Sequence, residues 1–125
     1  ENPLDRVCQV ASREDVLAMQ TAVRAESVSD AILDYITRLT MASREHPMLE
    51  VGVSPRGALC LCRMAKARAY LLGRDYVVGE DVQDVWQDVC AHRVAATPKA
   101  RLSGVTGADI LRGVLSSVES PDQHV

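Results

Sequence analysis

Between Ser54 and Gly73 the chain carries a helix start, a helix interior and a helix stop in one unbroken run. Ser54 suits the N-cap, since its hydroxyl can accept a backbone N–H that the first turn leaves unpaired. Pro55 suits the first helical position, where a missing N–H costs nothing. Leu61, Met64, Ala65, Ala69 and Leu72 form the expected inward face, and Gly73 stands where a left-handed residue closes a helix. Ala58, Ala65, Ala67 and Ala69 keep one flank thin, so a neighbouring helix can come close. The spacing predicts a helix over residues 55–72 packed on other helices.

The rest of the chain agrees. Phe is absent and aromatic residues are 3% of the total, so Ala, Val and Leu must build the core. That supply suits close-packed helices better than a β-sandwich. At 125 residues the chain is one domain, long enough to bury about two-thirds of its unfolded surface. The expected class is all-α: a small bundle of about five helices with one short extended connector.

Ser12 with Asp15 reads as a capping box opening a first helix, on which Val16, Met19, Gln20 and Val23 mark a modest apolar face. Ser29 opens a second, with Val28 and Leu33 placed as a hydrophobic staple. Ile32, Ile36, Leu39 and Ser43 line its stripe, flanked by Leu33 and Thr40. Pro47 ends it, because a residue before proline is pushed out of the α region. Residues 48–53 form a connector with Gly52 as its flexible point, and residues 74–78 are the short extended piece. Glu80 and Asp81 favour the start of a fourth helix, where Val82, Val85, Trp86 and Val89 bury the indole. His92 and Arg93 lie in its last turn. Residues 95–104 read as a loop. Thr106 with Asp109 then starts a last helix carrying Ile110, Leu111, Val114, Leu115 and Val118. Residues 1–11 are expected to be a linker arm, 12–118 the helical body and 119–125 a disordered tail.

Net charge is −3, which argues against a nucleic-acid domain. Arg63, Lys66, Arg68 and Arg74 are spread around the helix axis and read as a solvated face. No apolar run is long enough to span a bilayer and no signal peptide opens the chain, so a cytoplasmic location and no membrane partner are expected. Cys8, Cys60, Cys62 and Cys90 lack zinc-binding spacing. No metal site is expected of them, and they read as small buried thiols.

One residue conflicts with its local setting. Arg56 falls in the first turn of the Ser54–Pro55 helix, against the positive end of the helix dipole, which costs about 0.3–1 kcal/mol unless an anion is near. Taken alone, such an arginine is usually half of a surface ion pair, and a ligand phosphate is the other candidate anion. At this point the sequence resembles a known family. Gly52-Val53-Ser54-Pro55-Arg56-Gly57 is similar to the G-A-S-P-R-A stretch of MoxR-type AAA+ ATPases. Further pieces follow in the family's order. Asn2-Pro3-Leu4-Asp5 resembles the join between ATPase core and lid, and Asp34-Tyr35-Ile36 the family's D-Y-I. Ala42-Ser43-Arg44-Glu45-His46-Pro47 resembles A-T-R-x-H-P. Gly73-Arg74-Asp75-Tyr76-Val77, Glu80-Asp81-Val82 and His92-Arg93 complete the series, which fades beyond residue 94.

The resemblance implies the small α-helical lid that follows the nucleotide-binding core. It implies that Arg56 is the sensor-2 arginine, reaching the terminal phosphate of ATP bound with magnesium on the core, and it places Tyr35 near the base or the core–lid seam. It further implies a homo-oligomeric ring and client proteins, von Willebrand A-domain proteins among them, in chaperone-like remodelling or metal-centre assembly. The departures are Val53 and Gly57 for the two alanines beside S-P-R, Ser43 for threonine, and Gly79 for proline. Gly57 weakens a first helical turn by up to roughly 1 kcal/mol relative to Ala and is expected to loosen the aim of Arg56.

The chain holds no G-x-x-x-x-G-K-[ST] phosphate loop and no acidic strand end for magnesium. By itself it is expected to be a monomer without ATP turnover. The alternative reading is a non-enzymatic, histone-fold-like interaction module, suggested by the helix, the extended Tyr76-Val77-Val78 and the helix start at Asp81-Val82. A stand-alone hydrolase is disfavoured. His46 and His92 have no nucleophile placed with them and read as structural, as Trp86 reads as core.

Overall fold

The computed structural model describes residues 1–121. Its helices are α1 (Arg13–Arg24), α2 (Asp30–Glu45), α3 (Pro55–Leu71), α4 (Gly79–Cys90), α5 (Pro98–Leu102) and α6 (Gly107–Ser117). The sequence punctuation explains most of their ends. Ser12 and Asp15 exchange the two hydrogen bonds of a capping box, as do Thr106 and Asp109. Ser29 caps α2 and Ser54 caps α3, the latter accepting from Gly57 N–H at 3.1 Å. Gly73 closes α3 at φ 79°, where an L side chain would be strained.

α3 lies at the centre, packed against α4, α2 and α1. Its buried residues are Gly57, Leu61, Ala65 and Ala69, a stripe recurring every fourth residue. Because these residues are mostly small, α4 approaches closely and seats Val82, Val85, Trp86 and Val89 in the core. The Trp86 indole N–H donates to the Leu111 carbonyl at 2.9 Å, joining α4 to α6. Two residues expected inward on α3 are not buried: Met64 is 47% exposed and Leu72 57% exposed. The buried stripe runs through positions four apart and leaves Met64 to one side. Leu33, expected on the α2 staple, is also exposed.

Two segments taken as plain loop have structure. Leu49–Val51 (β1) pairs antiparallel with Ala95–Ala96 (β2), with an irregularity between Leu49 and Val51. Thr97 then caps α5, and Pro98 fills its first position. The 74–78 piece is extended as expected and is pinned beside Ser27, whose N–H donates to Asp75 C=O while its C=O accepts from Val77 N–H. The linker arm contains a short 3-10 turn, Pro3–Arg6, capped by the Asn2 side chain, and buries none of its residues. At the other end, Glu119 C=O accepts from Arg38 and Ser120 is buried, so this stretch is held on α2 rather than frayed. The rest of the expected disordered tail, 122–125, lies outside the described residues.

The basic residues between Arg63 and Arg74 do not behave alike. Arg68 and Arg74 do not form a solvated face. Both bind the fully buried Asp81 carboxylate: Arg68 Nη1 at 2.6 Å, and Arg74 through Nη2 at 2.6 Å and Nη1 at 2.7 Å. Asp81 also accepts the Val78 N–H at 2.8 Å, ahead of α4. Arg68 reaches Asp84 as well. Burial alone would raise the Asp81 pKa, but the Arg74 hydrogen bond, the Val78 N–H and Arg68 outweigh it and hold the carboxyl below its ordinary 3.8. A charge this deep is tolerated only because its partners are in place.

Candidate functional site

Two of the sequence stretches singled out above meet at the start of α3. The C-terminal turn of α2 carries Ser43, Arg44 and His46, and the chain returns through Gly52, Val53 and Ser54. Ser43 Oγ accepts the Val53 N–H at 3.0 Å and donates to Thr40 C=O at 2.6 Å. Ser43 lies on the buried stripe of α2, as expected. Its hydroxyl there pins the segment that leads into α3. Arg44 Nη1 reaches Val53 C=O at 3.5 Å, and His46 Nδ1 accepts the Met48 N–H at 3.1 Å, shaping the turn after α2.

Gly52 is not the flexible point of this connector. A Cβ there would lie 2.5 Å from the Arg44 Cα and 2.7 Å from its N. These are backbone atoms of a helix and cannot yield, so the position admits only glycine because the chain crosses α2 directly. Gly57 also has a steric reason. A Cβ there would lie 2.8 Å from Val53 Cγ1 and 3.4 Å from Arg93 Cδ. Val53 is fully buried, and its branched side chain has little freedom to turn away. The two departures beside Ser54-Pro55-Arg56 are therefore complementary: the larger residue at 53 fills space that an alanine at 57 would need. The expected loosening at Gly57 is replaced by a filled contact.

Arg56 stands on this support, exposed in the first turn of α3. That turn contains no acidic residue, and among the described residues the Arg56 side chain makes no hydrogen bond or ion pair. Among the described residues the common surface-pair explanation does not apply to it. Arg93 lies behind Gly57, but its own donors are used on Val89 C=O at 3.0 Å and Cys60 Sγ at 3.5 Å. The site therefore presents one unpartnered guanidinium, and a guanidinium suits oxyanions through forked, permanently charged donors.

Tyr35 is elsewhere. Its ring is fully buried in the core, its hydroxyl accepts from Gln83 Nε2 at 3.3 Å, and Arg38 lies 5.5 Å from its centroid. An enclosed ring offers no face to a base in this conformation. The cysteines are spread out: Cys8 is exposed, contrary to the expectation of burial, Cys60 and Cys62 are half-buried, and Cys90 is buried. Burial pushes the Cys90 thiol up to about 12, with Arg93 opposing and Cys60 adding to the rise. Among the described residues no three His, Cys, Asp or Glu come together as metal ligands. Among the described residues no helix is long and apolar enough to cross a membrane.

Comparison with known proteins agrees with the fold. Residues 41–114 match the model of the AAA lid domain. The chain is 34% identical over 123 residues to the protein YeaC of Bacillus subtilis, covering 98% of this chain and 38% of that protein. It is 31% identical over 122 residues to the chaperone MoxR1 of Mycobacterium tuberculosis, covering 90% of this chain and 32% of that protein. A crystal structure of a candidate ATPase from Cytophaga hutchinsonii superposes with a TM-score of 0.87 at 29% identity, over 94% of this chain and 38% of that one. The chain thus spans well under half the length of the relatives it matches. The matched family, the helical architecture and the motifs gathered around Ser54 lead to one conclusion: the chain belongs to the AAA lid domain family, as a lid of the MoxR-type ATPases.

Proposed function

We propose that this lid closes over ATP held on a separate nucleotide-binding core, and that Arg56 is its sensor-2 arginine. The observation that carries the reading is the unpartnered, exposed guanidinium in an acid-free first turn, braced from behind by Ser43, Val53 and Gly57. A terminal phosphate supplies the anion that this helix start lacks. Arg56 would then stabilise charge during phosphoryl transfer and report the state of the nucleotide to the lid. The residues present fit a phosphate and not a metal. Magnesium, which neutralises phosphate charge in such reactions, would be held by the core. Tyr35, enclosed as it is, would serve the lid's rigidity rather than the base. In the full-length protein the cycle would drive chaperone-like remodelling or metal-centre assembly of client proteins. The proposed setting is a homo-oligomeric ring in the cytoplasm, with von Willebrand A-domain proteins among the partners.

The test is made in the full-length protein. Arg56→Ala is expected to lower ATP turnover by about 10²-fold or more. It should leave the thermal midpoint nearly unchanged, because the side chain makes no hydrogen bond or ion pair among the described residues. Arg56→Lys should recover only part of the loss, since an ammonium keeps the charge without the fork. Equal losses of turnover and stability would make Arg56 a structural residue and end the assignment.

A further inference from the structure

The second feature without an assigned use is the groove between α1 and α3. α1 is amphipathic yet buries none of its residues. Val16 and Met19, on the face that a helix should cover, are 42% and 37% exposed. They overlook a groove of about 640 Å³ whose other wall is formed by Ala67, Tyr70 and Leu71 of α3. Its charged lining is entirely positive: Arg24, Arg63 and Lys66, with no carboxylate, on a chain of net charge −3. Lys66 Nζ donates to Arg24 C=O at 3.3 Å, which ties the rim across from α3 to α1. Arg63 is exposed and makes no hydrogen bond or ion pair among the described residues.

We propose that this groove docks an acidic amphipathic helix of a partner protein. Apolar side chains at i, i+3 or i+4 and i+7 would fill the slot between Val16, Met19 and Leu71, as in other helix-in-groove complexes. Carboxylates on the flanks would meet Arg24, Arg63 and Lys66. The apolar floor supplies affinity, and the cationic rim selects for acidic partners and speeds their encounter. An extended polyanion lacks the apolar side chains that the floor would cover, and a basic helix would place like charges against the rim. The proposal does not depend on Arg56 and stands or falls separately from the nucleotide reading.

The probe is a fluorescein-labelled model helix with leucine on one face and glutamate on the others, titrated by anisotropy. Its lysine-for-glutamate counterpart is the control. Saturable binding is expected for the acidic helix alone, weakening as salt rises. Amide shifts should be confined to α1 and the second half of α3. Arg63→Glu and Met19→Gln, both at exposed positions that the fold does not need, should each weaken binding about 30-fold or more, a loss on the scale of an interface hot spot. Lys99→Glu on α5 should leave it unchanged. No saturable binding, equal binding of the basic helix, or shifts outside the groove would overturn the proposal. Two further outcomes would replace the partner helix with another occupant. Self-association of the chain that Met19→Gln abolishes would identify a second copy. Binding to this chain but not to the full-length protein would identify the remainder of the same polypeptide.

Discussion

At the scale of single residues, the support of Arg56 combines the Ser43 and Ser54 hydrogen bonds with a size match between Val53 and Gly57. Glycine in a first helical turn loses up to roughly 1 kcal/mol of propensity against alanine. Here that loss is outweighed, because an added methyl would meet Val53 Cγ1 at 2.8 Å. Gly57→Ala is therefore expected to destabilise the chain by about 1 kcal/mol, an overpacking cost net of the propensity gain. In a Val53→Ala background the same change should stabilise, because the space is then open. A double-mutant cycle by denaturant unfolding reads the reversal. The same sign in both backgrounds would show that the two positions are independent. The sequence revealed both departures but not their relation, since spacing along a chain does not say which side chain occupies which volume. Tyr35 shows the same limit: the resemblance placed it near the base or the core–lid seam, while its ring lies fully buried with its hydroxyl on Gln83.

At the scale of elements, helix punctuation was legible and tertiary pairing was not. Ser12, Ser29, Ser54 and Thr106 mark four starts because a cap is a contact between near neighbours in sequence. Thr97-Pro98 repeats the Ser54-Pro55 signal and could have announced α5, but its short run of small and basic residues hid the helix. The β1–β2 pairing joins residues far apart in the chain and has no local trace. Arg68 and Arg74 looked solvated for the same reason, as their partner Asp81 lies on the next helix. That network makes a prediction about acid. A carboxyl held below 3.8 in the folded state adds stability at all pH above its unfolded value, and loses it as pH falls through the folded value. Asp81→Asn should cost about 3 kcal/mol at neutral pH, toward the lower end for a broken buried pair because both arginines keep partial access to water. Its stability should also fall less steeply than that of the parent below pH 3.8. Parallel stability–pH curves for the two proteins would remove Asp81 from the account.

At the scale of the whole molecule, one continuous core links α2, α3, α4 and α6, and Arg56 projects from its edge. A rigid body with a cation at its rim can turn the presence of a phosphate into a movement of the entire lid, because the packed interior transmits displacement without deforming. The chain spans well under half of its relatives, and on the proposed reading the phosphate is held by the core rather than by the lid. The most direct measurement is a structure of the full-length protein with a non-hydrolysable ATP analogue bound. An Arg56 nitrogen within about 2.7–2.9 Å of a terminal phosphate oxygen, the length of a charge-assisted hydrogen bond, is the expected result. A closed lid with Arg56 paired to a carboxylate of the core and remote from the nucleotide would contradict the account.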